Sequence, residues 1–162
     1  QDPNSSLDPQ QTVEQSLVEV LRVHAGLSRN DGRNRVPELL ARVGLRDQFG
    51  RALPARLSGG EKQRVAIARA LAVEPRLVIL DESVSALDVS VQAQVINLLT
   101  DLRAELGLTY LFITHDLGVV RQVSDQCLVM RRGAVVEAGP TGKIFTVPKD
   151  PRTSDYITGK FG

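Results

Sequence analysis

The sequence has no tryptophan, a single cysteine, and only two tyrosines and four phenylalanines for aromatic content. One cysteine excludes an internal disulfide and any cysteine-rich metal cluster. Within Gln126-Cys127-Leu128-Val129-Met130, Cys127 reads as a small buried hydrophobe. A charge surplus is also missing, since 20 basic against 19 acidic residues leave a net charge of +1. Such a balance gives no electrostatic reason to expect nucleic acid as a partner. Basic residues gather around Arg29 to Arg35 and at Arg131-Arg132, but acids and glycines interrupt them, and they read as solvated faces and turns. No apolar run approaches the ~18 residues needed to span a bilayer, and no signal-peptide pattern opens the chain. The expectation is a cytoplasmic protein with no direct membrane insertion, touching a membrane only through a partner. What is present is a globular composition: 162 residues, 42% of them hydrophobic, enough for one domain or one domain with a small lobe.

Turn-forming residues open the chain at Gln1-Asp2-Pro3-Asn4-Ser5-Ser6-Leu7-Asp8-Pro9. Thr12 and Gln15 then form a capping box, and Val13, Leu17, Val20, Leu21 and His24 share a helical face that Gly26 stops. His24 reads as a boundary residue, since no second ligand stands at helical spacing. A second, short helix is predicted with Pro37 near its first turn, Leu39, Leu40 and Val43 inward, and Gly44 at its end. Leu45 to Arg56 is a connector. Beyond it the pattern alternates between strand and helix. Leu77-Val78-Ile79-Leu80 is continuously apolar, as a parallel strand buried on both faces would be. Val91, Val95, Leu98, Leu99, Leu102 and Leu106 form a helical stripe closed by Gly107. Tyr110 to Ile113 is the next strand, Leu117 to Val123 a short helix, and Arg131-Arg132-Gly133 a hairpin turn between Cys127–Met130 and Ala134–Val136.

Chemistry concentrates in three places. Ser58 and Glu61 make a second capping box, with Gly59-Gly60 between them. Glycine costs about 1 kcal/mol relative to alanine within a helix, so a pair of them there needs a reason. Their exposed N–H groups at a helix N-terminus, where the dipole favours an anion, supply one: a phosphate-reading site. Asp81 and Glu82 end an apolar strand, where open α/β sheets place ligands; being neighbours on a strand, they point to opposite sides and cannot duplicate each other. His115 ends the following strand beside Thr114 and Asp116, and Asp116 is placed to cap the next helix. A phosphate-wrapping G-x-x-x-x-G-K-[ST] loop is absent. Gly142-Lys143 and Gly159-Lys160 are followed by Ile144 and Phe161, and the first glycine would fall on Glu137 and Ser154.

The run Leu57-Ser58-Gly59-Gly60-Glu61-Lys62-Gln63-Arg64, followed by Leu77 to Glu82, Ser85-Ala86-Leu87-Asp88 and Thr114-His115-Asp116, resembles ABC-type ATPases. It has their signature motif, Walker B, D-loop and switch histidine in the family's order. The resemblance implies a partial P-loop NTPase fold of the α/β class: a helical subdomain followed by a Walker B-containing parallel-sheet lobe. It implies ATP and Mg²⁺ as cofactors. Ser58, Gly59 and Gly60, with Glu61 at the same helix start, would meet the terminal phosphate of ATP held by a partner's P-loop. Asp81 would help hold Mg²⁺, Glu82 would polarise the attacking water, and His115 would hydrogen-bond the transferred phosphate. Asp88 would communicate between paired sites. Gln1 stands where the family's Q-loop glutamine reaches Mg²⁺.

The implied organisation is a Q-loop and helical subdomain over 1–57, a signature helix and ATPase lobe over 58–147, and a tail over 148–162. The implied partners are a second ABC ATPase subunit, identical or not, and transmembrane permease subunits that would hold the protein at the inner face of the plasma membrane. The opening segment, Ser85 to Gln94 and Val135 to Pro140 are similar to importer ATPases for oligopeptides, dipeptides and nickel. The tail from Asp155 is closer to phosphate-import ATPases. Ser83 stands where proline is usual after the acidic pair. In the family the P-loop strand lies between the switch-histidine strand and the one represented here by Leu128-Val129-Met130, so without it two strand edges and part of the core lie open. An ATP-hydrolysing importer subunit is one reading, and a non-catalytic interaction module is the other.

Overall fold

The computed structural model describes residues 7–160, which divide into two compact units on either side of the Ile113–Thr114 bond. Among the described residues of the first unit, α1 (Val13–His24) and α2 (Arg29–Arg42) pack together and against α3 (Gly59–Leu71). The capping box at Thr12 forms as its sequence requires, with Gln15 Oε1 accepting the Thr12 N–H at 2.7 Å. Leu17, Leu40 and Val43 are fully buried and make this lobe's core.

The second helix begins two turns earlier than the sequence suggested. Ser28 caps it, its Oγ accepting the Asp31 N–H at 3.2 Å, and Pro37 consequently lies inside the helix. Proline within a helix removes one hydrogen bond and costs about 3 kcal/mol. Burial of Val36, Leu39 and Leu40 and the seating of Gly32 against Val18 offset that cost. The Arg29–Arg35 stretch, whose polarity hid the helix, is its exposed face with Gly32 turned inward. The helix ends in a Schellman turn. Gly44 takes φ +69°, its N–H reaches the Ala41 carbonyl, and the Leu45 N–H reaches Leu40.

After the connector, whose residues form 3-10 turns at Asp47–Arg51 and Pro54–Arg56, the chain runs through α3 into β1 (Leu77–Asp81), α4 (Val89–Leu106) and β2 (Thr109–Ile113). β1 and β2 pair in parallel from Leu77↔Thr109 to Asp81↔Ile113, a right-handed crossover being the usual solution for such a unit. Gly107, at φ +64°, ends α4 as read from the sequence. Burial of β1 on both faces is not observed. Leu80 is buried, but Leu77 and Ile79 remain 53% and 60% exposed, as do large parts of Leu111 and Ile113. Each strand has one neighbour among the described residues, so their apolar side chains outnumber the elements that cover them.

The second unit holds α5 (Leu117–Val123), the antiparallel hairpin β3 (Gln126–Arg131) and β4 (Ala134–Pro140), then α6 (Thr141–Thr146) and α7 (Pro151–Thr158). Arg132 and Gly133 both have positive φ, the requirement of a tight primed turn. α6 and α7 were not legible as helices, being short and polar. The Glu137 carboxylate fastens them to β4 by accepting the N–H groups of Lys149 at 2.8 Å and Asp150 at 3.1 Å.

Those bonds, the Lys149 N–H foremost, hold Glu137 below the ordinary carboxylate range. Asp150 is lowered to about 2, chiefly by the Arg152 side chain. Both folded values lie below the unfolded ones, so this stabilisation is complete above the unfolded pKa and is lost as pH falls through the folded one. Protection of the Thr153 and Ser154 amides, measured against their intrinsic exchange at the same pH, should therefore fall below about pH 4, and Glu137→Gln should show the lower protection already at pH 7. The open strand edges predict a second behaviour: sedimentation of the isolated chain should give a mass that rises with concentration. A monodisperse monomer with a sharp two-state melt would contradict that.

Candidate nucleotide-facing site

The site is built around the start of α3. Ser58 sits outside the helix at φ −64°, ψ 164°. Its Oγ accepts the Glu61 N–H at 3.3 Å, while Glu61 Oε2 accepts the Ser58 N–H and hydroxyl at 2.8 Å each. This closes one donor of the helix start. Gly59 and Gly60, the first two helical residues, have no acceptor within the helix for their N–H groups. The second glycine is dictated by packing as well. A Cβ at Gly60 would lie 2.5 Å from Val91 Cγ1, whereas one at Gly59 would meet only Leu87 Cδ2 at 3.4 Å.

Val91 belongs to the first turn of α4, so two helix N-termini meet here. Asp88 caps the second, its Oδ1 accepting the Val91 N–H at 3.0 Å and the Ser90 hydroxyl at 2.7 Å. The Val91 amide foremost, and then Ser90, hold the Asp88 carboxyl below its ordinary range. Both helix starts line a cleft of about 560 Å³. Across it stand Arg46, with its guanidinium 6.0 Å from the Phe49 ring centroid, and Arg64. Sequence reasoning missed these three wall residues. Arg64 lies inside the recognised motif, but Arg46 and Phe49 fall in a connector whose polarity carries no periodic signal.

Asp81 and Glu82 lie in the same unit at the carboxyl end of β1. Asp81 is half-buried and paired in register with Ile113. Glu82 is exposed and adopts φ +46°, a left-handed conformation that costs a non-glycine residue roughly 1–2 kcal/mol. Three contacts enforce it. The Glu82 N–H donates to the Ile113 carbonyl at 2.8 Å, and its own carbonyl accepts from the Ser85 hydroxyl at 2.9 Å and the Ser85 N–H at 3.3 Å. Strain of this kind gathers where a side chain must be aimed.

His115 lies in the second unit, exposed. Its carbonyl accepts the Tyr156 hydroxyl at 3.3 Å, while Thr114 Oγ1 accepts the Asp116 N–H at 3.0 Å. Asp116 caps α5 through the Gly118 and Val119 amides. Gln1 lies outside the described residues. The structure thus gathers Ser58, Gly59, Gly60, Glu61 and Asp88 around one cleft and places Asp81 and Glu82 together at a strand end.

The ABC transporter family model matches residues 1–85, through the signature helix and the acidic strand end. The chain belongs to the ABC transporter family. It is 52% identical over 154 residues to the glutathione import ATP-binding protein GsiA of Salmonella choleraesuis, covering 94% of this chain and 25% of the relative. It is 50% identical over 157 residues to GsiA of Escherichia coli K12, covering 97% and 25%. The chain therefore spans about a quarter of the length of these curated ABC relatives. Among solved structures, cbiO1 of Clostridium perfringens, part of the ABC transporter complex cbiONQ, superposes with a TM-score of 0.77 at 29% identity, over 98% of this chain and 62% of that one. The ATP-binding cassette MJ0796, solved as a dimer with ADP and Pi, gives 0.70 at 32% identity over 83% and 59%. The fold is accordingly a part of the P-loop NTPase fold as ABC ATPases build it.

The clearance at Gly60 sets a test. Gly60→Ala should lower stability to urea by about 1–3 kcal/mol, the range for overpacking, while Gly59→Ala stays nearly neutral. Adding Val91→Ala to Gly60→Ala should recover most of the loss.

Proposed function

We propose that this chain forms the signature and Walker B portion of the ATP-hydrolysing subunit of an importer, acting on ATP held in part by a facing subunit. One observation carries the reading: the unpaired first-turn amides of Gly59 and Gly60 open on a cleft that the start of α4 also lines. Those amides and the two helix dipoles suit a terminal phosphate, with the Ser58 hydroxyl reaching it by leaving Glu61. The Glu61 carboxylate at the same turn opposes a bound anion, so the amides and dipoles supply the attraction and the glutamate fixes the turn.

Asp81, a half-buried carboxylate at a strand end, fits the sparse protein share that Mg²⁺ takes when nucleotide oxygens complete its shell. When bound, Mg²⁺ supplies charge neutralisation to the phosphates. Glu82, whose strained backbone supports such a role, would orient and polarise a water molecule, and His115, from the second unit, would donate a hydrogen bond to the transferred phosphate. Phosphoryl transfer gains most from such positioning and charge stabilisation. Asp88, with its charge retained at neutral pH, is the group through which a facing subunit would sense the start of α4, and Gln1 is the proposed Q-loop contact to Mg²⁺.

The identity to glutathione importers over almost the whole chain supports a peptide or peptide-like solute as the cargo. It also supports permease subunits and a second ATPase subunit as partners, and a place at the cytoplasmic face of the membrane. Among the described residues no helix is long and apolar enough to cross a membrane.

The test is Mg·ATP hydrolysis by the chain alone and mixed with a P-loop-bearing ABC subunit. Activity should appear only in the mixture and should fall by about 10²–10⁴-fold in Glu82→Gln, the range for losing a positioned base. No activity in the mixture, with the signature face still binding the partner, would replace hydrolysis by the interaction-module reading.

A further inference from the structure

Arg64 lines the cleft, yet its guanidinium is engaged by backbone. Nη1 donates to the Val43 carbonyl at 2.8 Å, in a half-buried setting. Val43 is the C-cap residue that follows α2, at the start of the Schellman turn, and it is completely buried. In that turn the carbonyls of Leu40 and Ala41 are taken by Leu45 and Gly44, whereas the Val43 carbonyl is one the helix cannot satisfy by itself. A cation there also meets the negative end of the α2 dipole. One side chain of α3 thus completes the end of another helix.

The backbone has been cleared for this contact. A Cβ at Gly44 would lie 2.9 Å from Arg64 Nη1. Gly44 is required by its φ of +69°, and its missing side chain is also the space the guanidinium occupies. Arg64 lies one and a half turns into α3, so fixing its head fixes the direction in which the first turn presents Gly59 and Gly60.

We propose that Arg64 is a positioning residue: by binding the α2 terminus through the gap at Gly44, it sets the angle at which the signature turn meets the nucleotide. The role in hydrolysis rests on the proposed function; the mechanical link does not. Lysine could donate to the same carbonyl but has no planar fork to keep the head in place, so Arg64→Lys should be intermediate.

The experiment measures amide exchange at Glu61 and Lys62 against Leu21 of α1 and its C-cap Ala25. It uses the 162-residue chain and its Arg64→Lys, Arg64→Gln, Gly44→Ala and Gly44→Ala/Arg64→Gln variants. The same proteins are assayed for Mg·ATP hydrolysis with the P-loop-bearing subunit. Arg64→Gln should speed exchange at Glu61 and Lys62 by about tenfold, the effect of losing one hydrogen bond to a charged group, with α1 unchanged. Gly44→Ala should add to its φ penalty a further acceleration only where Arg64 is present, because the φ penalty is common to both backgrounds and cancels in the cycle. In the mixture kcat should fall about tenfold while KM changes less than threefold, with Arg64→Lys partly restoring kcat. Additive effects of the two substitutions, or acceleration spread equally into α1, would overturn the proposal and leave Arg64 a general stabilising residue. If the wild-type mixture is silent but the exchange pattern holds, the link stands and the hydrolytic reading fails.

Discussion

Two helix starts share one space at Gly60, and the arrangement of the cleft follows from that contact. The first turn of α3 lies so near the first turn of α4 that a single added carbon would overlap Val91. Because both helices begin at that point, Gly59 and Gly60 of one and Asp88 and Val91 of the other line the same cleft, and both dipoles point toward it. Separate the helices by a methyl group and the field weakens at the place where an anion would sit. The capping residues Ser58 and Asp88 are the local means by which each helix is made to start at that depth and not a residue later.

Local chemistry was legible in the sequence wherever a few neighbouring residues determine it. The capping boxes at Thr12 and Ser58, the Gly107 terminus, the hairpin at Arg132-Gly133 and the Asp116 cap all depend on side chains within four positions of each other. What failed to show was long-range. The start of α2 is capped locally by Ser28, but the seating of its first turns through Gly32 on Val18, fourteen positions away, is what no periodicity in a polar stretch reveals. The exposure of Leu77 and Ile79 contradicts the strand's own composition, because a run of apolar residues records what a strand is suited to meet and says nothing of whether it is met. Asp81, Glu82 and His115 were read as candidate chemistry, but the backbone strain at Glu82 has no signature in its neighbours.

The family assignment and the physical argument bear on different questions. Identity to importer ATPases over most of the chain assigns the family and makes a peptide-like cargo the economical proposal. The reason Gly59-Gly60 suits phosphate is independent of any relative. It rests on donors left open by helix geometry and on the absence of side chains in the way. The Glu61 carboxylate sharpens this point, since it places a negative charge at a site proposed for an anion. Its two bonds to Ser58 show that it is engaged in holding the turn.

The backbone of Glu82 has an evolutionary consequence. A left-handed φ is cheap for glycine and tolerable for asparagine, but it is a standing burden for glutamate. Substitutions that remove the carboxylate proposed to orient water would thus include some that make the chain more stable. Selection for foldability alone would drift position 82 toward glycine or asparagine, so under the proposed role of Glu82 stability and chemistry pull in opposite directions there.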